Sequence, residues 1–395
     1  MTSDEGETTG HTTPHDMARS PQRTYRRMRD AAPVHAVDDQ MVVVSRRAEV
    51  EEAFRRPDIF SSNMAAVDLQ NVRPLIPLQI DPPDHKKYRK ILDPLFAPRR
   101  VAQLEEPVVA LVRDLIDRFE GREELDFAAE FSIPFPSQVF LTLLGLPLDE
   151  LPRFLAMKDG IIRPDHVTGT PRTSETAVAH QKATAGSIYD YFSDMLDQRE
   201  ADARDDLLTT FLDAEVDGQR LTQEEILDIC FLFLIAGLDT VTASLDCFFA
   251  YLAQHPEQRR RLIDDPSIIP AAVEELLRWE TPVMMVSRVA MEDTELGGCP
   301  IGSGQQVSLL IGSADTDDAE FGNGDEVRFD RDPNRHFAFG GGIHRCLGSH
   351  LARQELRVAL REWHTRIPDY SIKPGHELSY TSGVRSIDHF PMVLG

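Results

Sequence analysis

Cysteine is scarce: the 395 residues hold four, Cys230, Cys247, Cys299 and Cys346, and no two of them form a C-x-x-C unit. That spacing supports neither a structural zinc site nor a dithiol redox motif. Basic residues are in deficit, 42 against 66 acidic ones, for a formal net charge of −24. Phosphate backbones need a basic footprint, so nucleic acid is excluded as a partner, while a local basic patch stays open. Long apolar runs are missing as well. The longest, Ile229 to Leu238, falls well short of the roughly 20 residues that span a bilayer. The start, Met1-Thr2-Ser3-Asp4-Glu5-Gly6-Glu7, has neither the basic nor the apolar stretch of a secretory signal, so a cytoplasmic chain without a membrane anchor is expected.

What remains is ordinary for a globular protein: 41% hydrophobic and 27% charged residues, with no tandem repeat and no inter-domain linker. Residues 1–20, rich in Thr, Gly, Pro and acidic side chains, are expected to be a disordered tail, with His11 and His15 solvated rather than ligating. Residues 21–395 are expected to form one domain. Met41-Val42-Val43-Val44-Ser45 reads as a strand, followed by a helix over Ala48–Arg55. Further helices are predicted over Leu104–Phe119, Ile133–Leu144, Ser187–Arg199 and Ala271–Trp279. Thr222-Gln223-Glu224-Glu225 is a capping-box pattern that opens a helix running to about His255. At roughly 33 residues it is roughly 50 Å long, enough to cross the molecule, and between Ile229 and Leu238 it has no solvent face.

Three consecutive glycines stand in Phe339-Gly340-Gly341-Gly342-Ile343-His344-Arg345-Cys346-Leu347-Gly348. They permit positive φ and close backbone approach, so the run is a tight loop, and helical spacing resumes after it. Cys346 therefore lies at a loop-to-helix junction, where free N–H groups and the helix dipole favour a thiolate. Taken alone it is compatible with a buried, inert cysteine or with an axial haem ligand.

This run resembles the cysteine-ligand loop of the cytochrome P-450 family: Phe339, Gly340, Gly342, His344, Cys346, Leu347 and Gly348 fill every specified position. The likeness extends over roughly residues 21–395, through several motifs in the family's order. It implies a mainly α fold with small β-sheets, a long central helix over a haem, and the cysteine loop on the proximal face. The cofactor implied is haem b (iron protoporphyrin IX) with Cys346 as the iron ligand. His85 and Arg89, four apart on one face of the helix that Asp81-Pro82-Pro83-Asp84 starts, match the family's propionate-binding pair. Without the resemblance they read equally as an exposed face. Arg288 by register, His336 and the loop residues Phe339, His344 and Gly348 complete the implied cofactor contacts.

Ala236-Gly237-Leu238-Asp239-Thr240 matches the oxygen-activation segment. The match implies that Gly237 leaves room for dioxygen, Asp239 brings protons and Thr240 hydrogen-bonds oxygen during its activation. Glu275 and Arg278 are implied to form a buried structural ion pair joined by Arg328, with Arg331 as the alternative; read alone, the pair is surface decoration. The family's Ala-Asn-Arg-Asp stretch is replaced by Ala314-Asp315-Thr316-Asp317, which leaves the local packing open. The segment Ser61–Ile80 is implied to fold over the distal face, and the polar stretch from Arg163 to Pro171 to be a mobile part of the lid. Substrate would meet Leu75, Ile76, Ile235, Met284, Met285 and Val384, with Arg73 either solvated or paired with a substrate carboxylate.

The implied reaction is a monooxygenation by O2 and two electrons, hydroxylating or epoxidising a small apolar molecule such as a terpenoid or steroid. A peroxide-driven haem-thiolate enzyme and a non-catalytic haem sensor are the alternatives. The retained Asp239–Thr240 pair argues against the first, and reductant-dependent product formation separates the second. The glycine run lacks the strand–turn–helix unit of a flavin or NAD site, so electrons must come from another protein. The resemblance implies an iron-sulfur ferredoxin with a flavin-dependent reductase, serving a monomer. Lys86, Lys87, Lys90, Arg99, Arg100, Arg345 and Arg353 gather in the segments expected around the cysteine face.

Overall fold

The structure, a computed structural model, describes residues 18–63, 69–71, 73–216, 218–381 and 383–395. Of the expected tail, residues 1–17 lie outside the described residues, as do Met64, Ala65, Val67 and Val72 of the distal segment and Ser382 near the C-terminus. Residues before 21 take part in the fold: Ala18 is buried and its carbonyl accepts a hydrogen bond from Arg385 Nε at 2.6 Å.

One helix, Gln223–Gln254, organises the molecule. Its start is the expected capping box: Thr222 Oγ1 accepts from the Glu225 amide at 3.2 Å, and Glu225 Oε2 accepts from the Thr222 amide at 2.7 Å. His255 closes it ahead of Pro256, whose fixed φ suits the first turn of the next helix, Pro256–Asp264. By length and composition the central helix passes for a membrane span, yet most of it is buried inside the fold. Around it pack Pro134–Leu143, Leu151–Ile162, Glu175–Ala201, Ile269–Glu280 and Ser349–Arg366. Phe249 of the central helix and Trp363 of the last helix meet at 5.2 Å between ring centroids, with Phe127 and Phe131 completing the cluster at 4.4 and 4.9 Å from Phe249 and Trp363 respectively. This aromatic lock fixes the helix that follows Cys346 against the centre; truncating such a buried Trp to Ala costs about 3–5 kcal/mol.

A five-stranded sheet runs in the order Val34–Ala36, Met41–Val44, Gln306–Leu309, Val286–Ala290, Phe60–Ser61. Val42, Val44, Val307 and Leu309 point inward by the period of two and share a second core with Phe54, at the end of helix Arg47–Arg55. A smaller sheet pairs Pro391–Leu394 with both Tyr370–Ile372 and Glu124–Asp126.

Two elements depart from the sequence reading. The helix expected from Ser187 begins at Glu175, where Ser174 caps it by accepting from the Ala177 amide. The polar stretch after Arg163 contains a short helix, Pro164–Thr168, with Pro164 in its first turn and Gly169 at φ 66° ending it, so these residues punctuate a helix rather than break one.

Candidate functional site

Cys346 is presented by a loop folded back on itself. Its amide donates to the Phe339 carbonyl at 2.8 Å, and the Gly340 amide donates to the Phe337 carbonyl at 2.7 Å. Gly340 and Gly342 sit at φ 68° and 64°. A Cβ on Gly342 would lie 2.3 Å from the Phe54 carbonyl oxygen, so only glycine lets the loop rest on that helix end. The next helix starts at Ser349. Cys346 is exposed, and Cys230 and Cys247 are buried as core residues. Crowding by protein pushes the Cys346 thiol up, against the pull of a hydrogen bond from the Gly348 amide and of the Arg89, Arg353 and Arg345 guanidiniums. The junction therefore pulls toward thiolate as expected, against the opposing effect of burial.

Beside the loop, His85, Arg89, Arg288 and His344 converge. His85, buried in helix Asp84–Leu92, has its ring 4.3 Å from that of His344. Nε2 of each is buried and has no hydrogen-bond partner. Arg288 is also buried and donates only to the carbonyl of its neighbour Ser287, at 2.7 Å. Burial lowers it to about 10. Burial, then His85, Arg288 and Arg89, drives His344 down to about 3. Arg89 reaches the Arg345 carbonyl at 3.0 Å and pairs with Asp93 at 2.8 Å. Such a set lacks a buried anion among the described residues; carboxylates would satisfy it.

His336 does not belong to that set. Its Nε2 meets Glu274 at 3.0 Å and its Nδ1 accepts from the Ala338 amide at 3.2 Å, so both ring nitrogens are taken. Against the cost of burial, His336 and Arg353 hold Glu274 down at about 2. Arg353 is thus an internal cation, over the Phe339 ring at 4.3 Å, rather than a free surface charge.

Glu275 and Arg278 form the expected buried pair, at 2.7 and 2.8 Å. Arg331 Nε joins them at 3.1 Å, while Arg328 contributes only its backbone amide and turns its side chain to Asp330. The third member is therefore Arg331. Asn334 Nδ2 adds a further donor at 3.0 Å. At Ala314–Asp317, guanidiniums arrive from elsewhere: Arg29 donates to the Ser313 and Thr316 carbonyls at 2.8 and 2.9 Å, and Arg47 lies 3.7 Å from Asp315.

On the central helix, Ala236 is exposed, Gly237 and Thr240 are partly so, and Asp239 is buried. Asp239 Oδ1 is held at 3.2 Å by both Lys158 Nζ and Arg163 Nη2, while its Oδ2 is buried without a partner. Arg163 also binds Asp388 and, at 2.6 Å, the Ser386 hydroxyl. Nothing local in the sequence marks Lys158 or Arg163 as partners. Thr240 Oγ1 donates to the Ala236 carbonyl at 2.9 Å, leaving its lone pairs open. Gly237 also answers to packing: a Cβ there would meet the Phe140 ring at 2.8 Å.

Of the expected substrate contacts, Ile235, Met285 and Val384 keep exposed surface. Leu75 and Ile76 are buried in the main core, and Met284 packs with Tyr25 and Leu310, so these three are core side chains. Met284 faces inward because its amide is tied to the Gly383 carbonyl, at 3.4 Å. Arg73 is bound to Asp228 at 2.9 Å and is not free for a substrate carboxylate.

A cysteine-bearing glycine loop, a cluster of bases suited to carboxylates and an acid–alcohol pair on a buried helix together define a haem-thiolate site. The chain belongs to the cytochrome P450 family: the family model "Cytochrome P450" matches residues 10–363. It has the cytochrome P450 fold and is a haem-thiolate monooxygenase. It is 35% identical over 336 residues to "Probable cytochrome P450 127A1" of Sinorhizobium fredii, covering 84% of this chain and 78% of that one. It is 32% identical over 372 residues to "Steroid C26-monooxygenase" of Mycolicibacterium smegmatis, covering 93% and 91%. Among solved structures, CYP109E1 from Bacillus megaterium in complex with testosterone superposes with a TM-score of 0.87 at 27% identity, over 96% of this chain and 99% of that one.

Proposed function

We propose that this monooxygenase hydroxylates or epoxidises a compact, uncharged, apolar small molecule of the terpenoid or steroid class, on haem b held by Cys346. The observation that carries this reading is the exposed Cys346 beside buried bases whose imidazole nitrogens have no partner among the described residues. His85, Arg89, Arg288 and His344 fit the propionates of a haem: two orphaned imidazole nitrogens and a buried guanidinium are a donor set for two carboxylates. When bound, the haem supplies the redox chemistry that activates O2. The protein's part is to hold, orient and move protons. Gly348 N–H and the guanidiniums of Arg89, Arg353 and Arg345 stabilise negative charge on the Cys346 sulfur. Thr240 is to hold its hydrogen bond near the reacting oxygen, and Asp239 is to relay protons through its unpartnered Oδ2. The steroid named for one relative and bound in one neighbour supports a polycyclic, neutral substrate.

Electrons are to come from an iron-sulfur ferredoxin, reduced by a flavin enzyme and docking on the cysteine side. Lys86, Arg99, Arg100 and Arg345 are exposed and would supply the basic docking charge, whereas Lys87 is paired with Glu225. A monomer in the cytoplasm completes the reading.

The ferrous CO complex of the pure protein tests it. The strongly red-shifted Soret band of thiolate ligation is expected, lost in Cys346→His even where haem is retained. An unchanged CO spectrum in that variant would remove Cys346 from the role.

A further inference from the structure

Asp228 stands in the second turn of the central helix, 3% exposed, and serves none of the chemistry above. It gathers three elements. One carboxylate oxygen accepts from Arg73 Nε at 2.9 Å, the other from the Tyr189 hydroxyl at 3.2 Å. Arg73 belongs to the distal segment and Tyr189 to helix Glu175–Ala201. The two partners also touch each other: the guanidinium lies over the Tyr189 ring, 5.5 Å from its centroid, and Arg73 Nη2 reaches the Glu224 carbonyl at 3.4 Å. Tyr189 is stacked on Phe231 of the central helix at 5.1 Å.

The distal segment depends on such ties. Between Ser61 and Asp84 the described residues form no helix or strand, so no backbone ladder holds them. Beyond one backbone turn, in which the Gln79 amide donates to the Leu75 carbonyl at 2.8 Å, they have a side-chain brace. Asn71 Nδ2 donates to the Arg73 carbonyl at 2.6 Å, and Gln79 Oε1 accepts from the Leu75 amide at 2.8 Å and from Asn71 Nδ2 at 3.3 Å. The brace ties Asn71, Arg73, Leu75 and Gln79 to one another, and Arg73 is its ion-paired handle on the helices.

We propose that Asp228 is a positioning residue for the substrate pocket: by clamping Arg73 and Tyr189 it fixes the 71–80 segment and sets how large a molecule passes beneath. The proposal rests on the reading that this segment roofs the pocket. It also bears on substrate class. Arg73 and Asp228 neutralise each other, so neither offers a charge to a ligand, which favours neutral substrates.

The test uses the haem-loaded protein and the variants Arg73→Gln, Asp228→Asn and Arg73→Lys. Hydrogen exchange of peptides covering 71–80 is expected to quicken about tenfold in the first two, with 241–252 unchanged, because a local opening is made easier. Arg73→Lys should keep most of the protection. Binding of 4-phenylimidazole to the iron, followed by stopped flow, should quicken by about the same factor, while imidazole, small enough to pass the closed segment, stays at the wild-type rate. Arg73 is partly exposed, so Arg73→Gln carries the test should Asp228→Asn fold poorly. Exchange and azole rates both at wild-type values in Arg73→Gln would overturn the clamp. Faster exchange with unchanged 4-phenylimidazole binding would overturn the proposal differently, by showing that the segment is clamped but does not roof the pocket.

Discussion

Both cations at Asp239 bind the same oxygen. Lys158 and Arg163 converge on Oδ1, and Oδ2 is left buried with its lone pairs unused, one helical position before Thr240. A carboxylate divided in this way is held in place by one atom and can exchange a proton at the other. Thr240→Ala is therefore expected to consume electrons at a near wild-type rate while releasing hydrogen peroxide in place of product, measured as the ratio of product formed to electrons used. Asp239→Asn is expected to slow turnover about 10- to 100-fold while coupling is retained, as for removal of a proton-transfer group. Full coupling in Thr240→Ala would remove that residue from the role.

At the scale of single elements, the central helix makes two demands that its sequence hides. Gly237 is a contact glycine: Ala there pushes on the Phe140 ring of helix Pro134–Leu143. Overpacking costs about 1–3 kcal/mol, against roughly 1 kcal/mol gained in helix propensity. Gly237→Ala should thus lower the melting temperature, and adding Phe140→Leu should recover most of the loss. Equal melting of the two variants would mean that the ring moves aside freely. Asp246 is the second demand. Fully buried, it accepts from Ser132 Oγ at 2.5 Å and from the Ile387 amide at 2.9 Å, and burial lifts it to about 7. Its pKa is raised on folding, so the folded chain binds the extra proton. That contribution is complete below about 4, the unfolded value, and is lost as the pH climbs to about 7. Asp246→Asn cannot titrate, so its stability deficit against wild type should shrink between pH 5 and 8 in urea unfolding. A pH-independent deficit would contradict the shift.

These two residues mark where sequence reasoning stops. The capping box at Thr222, the glycine loop and the helix after it are local patterns, written in neighbours a few residues apart, and each lies where it was read. Pairings across the fold have no such signature. Nothing near Lys158 or Arg163 says that they meet Asp239, some 80 positions on. The choice between Arg328 and Arg331 turned on which side of a coil faces Glu275, and no period governs a coil. The partner of His336 is hidden for the same reason: His336 lies in coil, and Glu274 is on the helix Ile269–Glu280. Met284 and Met285 were taken together, although adjacent residues of an extended chain face opposite ways.

Over the whole molecule, the formal charge of −24 repels an acidic partner everywhere except where basic side chains are exposed. Association with an acidic ferredoxin should accordingly be oriented and salt-sensitive. Arg100→Glu or Arg345→Glu is expected to raise the ferredoxin concentration for half-maximal turnover about tenfold at low ionic strength, with substrate binding unchanged. The gap to wild type should close as salt is added. Reduction indifferent to both charge reversal and salt would place the donor on another face.

The convergence of His85, His344, Arg288 and Arg89 reaches beyond catalysis, into how long the protein lasts in a cell. Two orphaned imidazole nitrogens and a buried guanidinium weaken the unloaded chain, and the anionic cofactor proposed for them would relieve that, linking binding to folding. A chain made while iron or porphyrin is short would open more often and be cleared by proteases sooner. The amount of enzyme would then follow the supply of its cofactor.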